Sequence, residues 1–147
     1  AGFGDVRKKP DLVTSKLGPL HLYQLSLAAP RAPAGSFDAA SARRGKGLFE
    51  GKADCARCHV PPLFTEPGWN MHTPEEIGID SSQADPSPDG HYRTAPLMGL
   101  WTHSKGGYYH DGRFPSLAAV VAHYERTFSL GLTAAERRDL VEYLKSL

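Results

Sequence analysis

Along the chain, apolar positions fall into helical spacing in three places and into sustained alternation nowhere. Ala39, Ala42, Leu48 and Phe49 can share one side of a helix, and Ser36 or Asp38 stands ahead of them as a cap, so a helix is predicted to about Glu50. Leu117, Val120, Val121, Tyr124 and Phe128 recur at i, i+3, i+4, i+7 and i+11, one apolar stripe that begins after Pro115 and Ser116. Thr133-Ala-Ala-Glu136 is a capping box, and it opens a last helix through Leu140, Val141 and Leu144 to Leu147. No segment reads as a strand of useful length and no internal repeat is visible. The expected class is mainly α.

The remainder is irregular. Residues 60–95 are rich in Pro, Gly, Asp and Ser without convincing periodicity, and so long a loop in a small domain needs something besides secondary structure to organise it. Residues 1–37 hold Pro10, Pro19, Pro30 and Pro33 around one apolar stretch, Leu17 to Leu27. They predict an extended Pro-rich arm with one or two helical turns around Leu20 to Leu25. The expected division is an arm or linker over 1–35 and a folded domain over 36–147.

Composition narrows the function. A chain of 147 residues fits one domain with a real core. Seventeen basic against sixteen acidic side chains leave a net charge of +1, which offers no global attraction to nucleic acid or an anionic membrane. No stretch approaches the roughly twenty apolar residues that cross a bilayer. No charged-then-apolar leader is seen, so the chain reads as a soluble, mature product whose targeting peptide, if any, is gone.

The two cysteines, three apart, carry the chemistry. A disulfide closing so short a loop would stabilise little. Cys55-Ala-Arg-Cys58-His59 matches the c-type haem attachment pattern instead. Two thiols at this spacing reach the two vinyl groups of one haem, and the adjacent imidazole is held under the iron. A structural zinc site would need a second ligand pair, which the cysteines do not provide. A thioredoxin-type redox pair would need a βαβ context, which is absent. The expected cofactor is one covalent haem c, with His59 as proximal ligand. A haem's apolar face would also organise the long loop.

Further residues carry a resemblance. Gly45-Lys-Gly-Leu48-Phe49 resembles the first helix of class I cytochromes c, and Asp139-Leu140-Val-Glu-Tyr143-Leu144 resembles the last. The resemblance implies a cytochrome c fold in which these helices cross closely, small Gly45 and Gly47 against large Tyr143 and Leu144. Tyr92-Arg93-Thr-Ala-Pro96-Leu97, then Gly107-Tyr108-Tyr109-His110-Asp111-Gly112-Arg113, is similar to the C-terminal haem domain of the bacterial di-haem cytochrome c peroxidase superfamily, methylamine-utilisation-type enzymes included. That likeness spans about residues 36–147, and the arm resembles the linker preceding this domain in longer relatives. Those enzymes carry two haems, and this chain has one attachment motif.

The sixth iron ligand decides function. Tyr124 sits late, shortly before the last helix and on the apolar stripe, where class I cytochromes carry their distal ligand. The methylamine-type relatives have Tyr there, and phenolate ligates haem. Tyr124 is also explained as a core tyrosine. Met98 is the soft-ligand alternative, though it comes early and also fits as a core gap-filler. Met71 and His72 in the irregular loop are further candidates. His123 points about 100° from Tyr124 and is expected at the surface. His110 is expected either beside the haem, as the resemblance implies, or as a loop histidine next to an Asp111-Gly112 turn. Arg93, Trp101 and Arg113 are candidate donors to haem propionates.

Two functions follow. One haem and no obvious acid–base pair favour an electron-transfer protein working with a redox partner protein. The resemblance and Tyr124 favour a peroxidase-like enzyme, or the C-terminal fragment of a di-haem one, with His110 or Glu125 as acid–base group. A second haem domain or a homodimer would then be a partner. Covalent haem attachment implies export, and hence a periplasmic location.

Overall fold

In a computed structural model, residues 9–66, 70–103 and 106–147 are described. The first part of the arm (residues 1–8), residues 67–69 of the long loop and residues 104–105 lie outside them. Among the described residues the chain is mainly helical, with two isolated β-bridges and no strand.

The order is α1 (Thr14–Ser26), α2 (Ala39–Glu50), a 3₁₀ turn (Cys55–Arg57), α3 (Pro74–Ile77), a second 3₁₀ turn (Leu100–Thr102), α4 (Leu117–Phe128) and α5 (Ala134–Ser146). The expected caps do their work. The Asp38 side chain accepts from Ser41 N, the Ser116 side chain from Ala119 N, and Thr133 and Glu136 close the capping box. Two elements differ from expectation. The arm holds a 13-residue helix rather than one or two turns, although Pro19 lies inside it. The Asp11 carboxylate accepts from Val13 N and Thr14 N at its start, and none of its residues is buried. Within the long loop, Thr73-Pro-Glu-Glu76 forms a capping box of its own around the single turn of α3.

The core lies where α2 crosses α5. Gly45 is buried at the crossing, where a Cβ would overlap the Asp139 carbonyl oxygen and stand 2.8 Å from Tyr143 Cβ. Charged groups pin the crossing from outside. The Arg44 guanidinium holds both Asp139 carboxylate oxygens at 2.8 Å, Lys52 pairs with Glu136, and Asp38 N donates to Glu142. Gly47, also expected to face a large residue, has open space around it. Two residues on from Gly45, it lies about 200° around the helix, on the face away from the contact. Beneath the crossing, Phe49 is 1% exposed and packs edge-on against Tyr143 and Phe64, at centroid separations of 5.2 and 6.0 Å. Leu117, Val121, Leu132, Leu140 and Leu144 complete this cluster.

The two glycines make opposite predictions. Gly45→Ala forces α2 and α5 apart and should lower stability by about 1–3 kcal/mol, the usual range for overpacking. Gly47→Ala should raise it by about 0.5–1 kcal/mol, because it only removes backbone freedom from a helix interior. Chemical denaturation of the two variants checks both signs.

Candidate haem site

The attachment motif begins where α2 ends. Ala53 N donates to Leu48 O, Asp54 takes a left-handed conformation (φ 49°), and Cys55–Arg57 form the 3₁₀ turn. Side chains three apart eclipse in such a turn, so the two thiols share one side. His59 N closes the motif on Cys55 O at 2.9 Å. Cys55 packs against the Phe49 cluster, and both thiols are free. Burial pushes the Cys55 thiol up to about 11, and burial raises Cys58 as well. A thioredoxin-type nucleophile needs its thiol lowered, so these are poor redox thiols and well suited to a fixed thioether.

His59 rests on the core, its ring centroid 6.4 Å from that of Phe49. Its Nδ1 lies 3.1 Å from Phe64 O, which makes Nδ1 the N–H donor and gives the lone pair to Nε2. Burial lowers its pKa, with the Phe64 and Ala95 carbonyls opposing, so the ring is held neutral as a metal ligand must be. An oriented neutral imidazole beside two inert thiols fits the haem c motif.

Burial raises the pKa of Tyr124. Its ring stacks on Phe128 (5.6 Å, 6°) and neighbours Tyr109 (6.2 Å). The other candidates are scattered. Met98 is 42% exposed. Met71 and His72 line a cavity of about 420 Å³ together with Arg57, Cys58, Ile77 and Phe128. A larger cavity of about 750 Å³ lies between α2, α4 and α5 and is lined by none of the predicted residues.

Several polar candidates already have partners. Trp101 Nε1 donates to Pro30 O at 3.0 Å, tying down the end of the arm. Arg113 pairs with Asp111 and Asp80, and Arg93 is exposed. His110 stacks on Tyr92 and lies 3.1 Å from Ser82 Oγ and 3.4 Å from Asp80. Both Glu125 oxygens accept from Leu132 N, closing the turn between α4 and α5. His123, expected at the surface, is half-buried instead. Its Nε2 lies 3.0 Å from Ile77 O, and its ring packs against Phe114 and Tyr109. The long loop folds back over that side of α4, which helix angle alone does not foretell.

One functional group escaped the sequence. Glu66 is 7% exposed, and its carboxylate accepts from Asn70 Nδ2 (2.5 Å), His72 Nε2 (3.0 Å) and Thr94 Oγ1 (3.0 Å). Cys58 Sγ, Glu66 and His72 offer ligand atoms within 4.8 Å of one another. A carboxylate already taking three hydrogen bonds reads as a loop clamp beside the motif rather than as a metal ligand. The signal for it was faint, a lone Glu between Phe64-Thr65 and a proline.

Over 129 residues the chain is 35% identical to the methylamine utilization protein MauG of Methylorubrum extorquens, covering 74% of this chain and 35% of that protein. It is 26% identical over 151 residues to the cytochrome-c peroxidase IdrP1 of Denitromonas iodatirespirans, covering 74% of this chain and 40% of that protein. The chain thus spans little more than a third of the length of these curated relatives. No family model and no solved structure matches it. The two relatives agree with the resemblance to the cytochrome c peroxidase and methylamine-utilisation superfamily.

Glu66 also sets a pH dependence. Burial alone would raise its pKa, but the hydrogen bonds from Asn70, His72 and Thr94 outweigh that and leave it below the unfolded value of 4.5. A depressed carboxyl stabilises the fold fully above the unfolded pKa and loses that contribution as pH falls through the folded one. Glu66→Gln should cost about 1–3 kcal/mol at neutral pH, by weakening a buried acceptor. It should also flatten the fall of the unfolding midpoint below pH 4.5. Thermal unfolding across pH measures both.

Proposed function

We propose that the chain is a class I-like c-type cytochrome domain holding one haem c, and that it transfers electrons. Cys55 and Cys58 form the thioethers, His59 is the proximal ligand and Tyr124 the distal one. The observation that carries this is the joint geometry of the motif. The two thiols share one turn, the next imidazole is oriented by Phe64 O, and the half-buried Tyr124 ring stacks on Phe128, which lines one cavity together with Cys58. Bound haem supplies a one-electron ferric/ferrous couple.

The chain's residues fix how that couple is held. The Phe49 ring and the Phe64 carbonyl set the orientation of His59. Phe128 sets that of Tyr124. Burial raises the pKa of Tyr124 above the ordinary tyrosine range, so the unliganded phenol carries its proton at neutral pH. Met98, at the surface, is the weaker distal candidate. Electron transfer is favoured over peroxidase chemistry because the expected acid–base groups are already engaged, His110 by Ser82 and Asp80 and Glu125 by Leu132 N. The alternative is a peroxidase-like haem domain completed by a second haem domain, which the short coverage of MauG and IdrP1 favours. A redox protein is the partner in either case, and haem c attachment places the work in the periplasm. No described helix is long and apolar enough to cross a membrane.

Haem should stay on the chain through denaturing electrophoresis and be lost from the Cys55→Ser, Cys58→Ser double variant. Optical and low-temperature paramagnetic resonance spectra of the ferric protein then identify the distal ligand. We expect no methionine–iron charge-transfer band, a changed spin state in Tyr124→Phe, and unchanged spectra in Met98→Ala and Met71→Ala. A methionine band abolished by either methionine variant would replace Tyr124. Rapid bleaching or oxidation by hydrogen peroxide would favour the enzyme.

A further inference from the structure

The loop before α4 is built under constraint. Tyr108 and Phe114 pair their backbones, and a turn carries the chain from Tyr109 to Gly112. Neither Gly107 nor Gly112 has room for a Cβ. One on Gly107 would run into the Gly112 carbonyl oxygen, and one on Gly112 into that of Gly106. Tyr109 itself has φ 70°, a left-handed conformation that a bulky side chain rarely adopts. Such conformations persist where the surroundings over-determine them, often at functional sites.

What the loop presents is the Tyr109 ring. Phe114 (4.7 Å) and His123 (5.6 Å) clamp it edge-on, and Tyr124 lies beside it at 6.2 Å. The Tyr109 hydroxyl is buried without any hydrogen-bond partner. A phenylalanine would fill the same space without stranding a polar atom, so packing does not account for the hydroxyl. The ring beside it, that of Tyr124, carries the neighbouring hydroxyl, and no hydrogen bond joins the two.

We infer that Tyr109 is a positioning residue whose hydroxyl donates a hydrogen bond to the Tyr124 oxygen when that oxygen is an iron-bound phenolate. This rests on Tyr124 being the distal ligand. A hydrogen bond to a phenolate draws charge away from the iron, weakens the preference for ferric iron and raises the midpoint potential. Tyr109 thus counters the low potential that phenolate ligation would otherwise impose.

The test compares haem-loaded wild type, Tyr109→Phe and Tyr124→Phe. In Tyr109→Phe the phenolate-to-iron charge-transfer band should move to lower energy. The ferric/ferrous equilibrium should shift at least tenfold toward ferric, a fall in midpoint of about 59 mV for one electron. In wild type the phenolate vibrations seen by resonance Raman should shift in D₂O, which needs no variant to fold. That shift should vanish in Tyr109→Phe. A band abolished by Tyr124→Phe but unmoved in Tyr109→Phe, with no D₂O shift in wild type, overturns the inference and leaves the ligand in place. A spectrum indifferent to Tyr124→Phe overturns the phenolate and this inference together.

Discussion

The missing side chain of Gly45 is the constraint on which the candidate site depends. Only a residue without Cβ lets α2 lie against the Asp139 carbonyl and Tyr143 of α5. That approach brings Phe49, one turn further along α2, into edge contact with Tyr143. Phe49 in turn supports His59 and Phe64, and Phe64 supplies the carbonyl that orients His59. The line from a glycine in a helix to the tautomer of an imidazole is short and rigid. The ion pairs around the crossing stand partly in water and add little each; they fix register rather than stability.

The opposite side of the site is organised differently. Beyond Phe64, which enters the core, the 60–95 loop is held largely by polar hubs. Glu66 ties its own stretch to the 70–72 segment and to residue 94 through Asn70, His72 and Thr94. Asp80 gathers Ser82, His110, Arg113 and, through its carbonyl, Tyr92. A buried carboxylate surrounded by donors is costly to misplace, which lets a loop without secondary structure keep one conformation. This polar scaffold also consumes groups that a sequence offers as catalysts. His110 and Arg113 are building members of it before they are anything else.

The legibility of the chain follows the range of the interactions involved. Helices α2, α4 and α5 were readable because their caps and stripes are local: Asp38, Ser116 and Thr133 each act within three residues. The attachment motif was readable because its chemistry is contained in five consecutive residues. The Gly45 contact was readable only through resemblance, and Gly47, identical in kind, was not separable from it without the partner helix. The one-turn α3 carries a complete capping box but too few residues to show periodicity. His123 was misplaced because a helix wheel knows nothing of a loop that returns from residue 77. Glu66 was invisible because a buried acid is defined by its donors, and the sequence does not show which segments bring them.

Taken together, the two axial candidates sit in unlike surroundings, and that difference bears on chemistry. His59 is fixed from below by a packed apolar cluster and one backbone carbonyl, which leaves little freedom to move or change protonation. Tyr124 belongs to a chain of stacked and tilted rings running from Phe128 through Tyr109 to Phe114 and His123, with an unsatisfied hydroxyl inside it. If Tyr124 is the ligand, ring contacts set its position and the Tyr109 hydroxyl beside it is the group placed to set its charge. The two properties can therefore vary separately. A protein that needs an electron carrier of moderate potential and one that needs a low-potential ferric centre could share this frame and differ only at the donor. On that argument residue 109, more than residue 124, is where the function of such a domain is tuned.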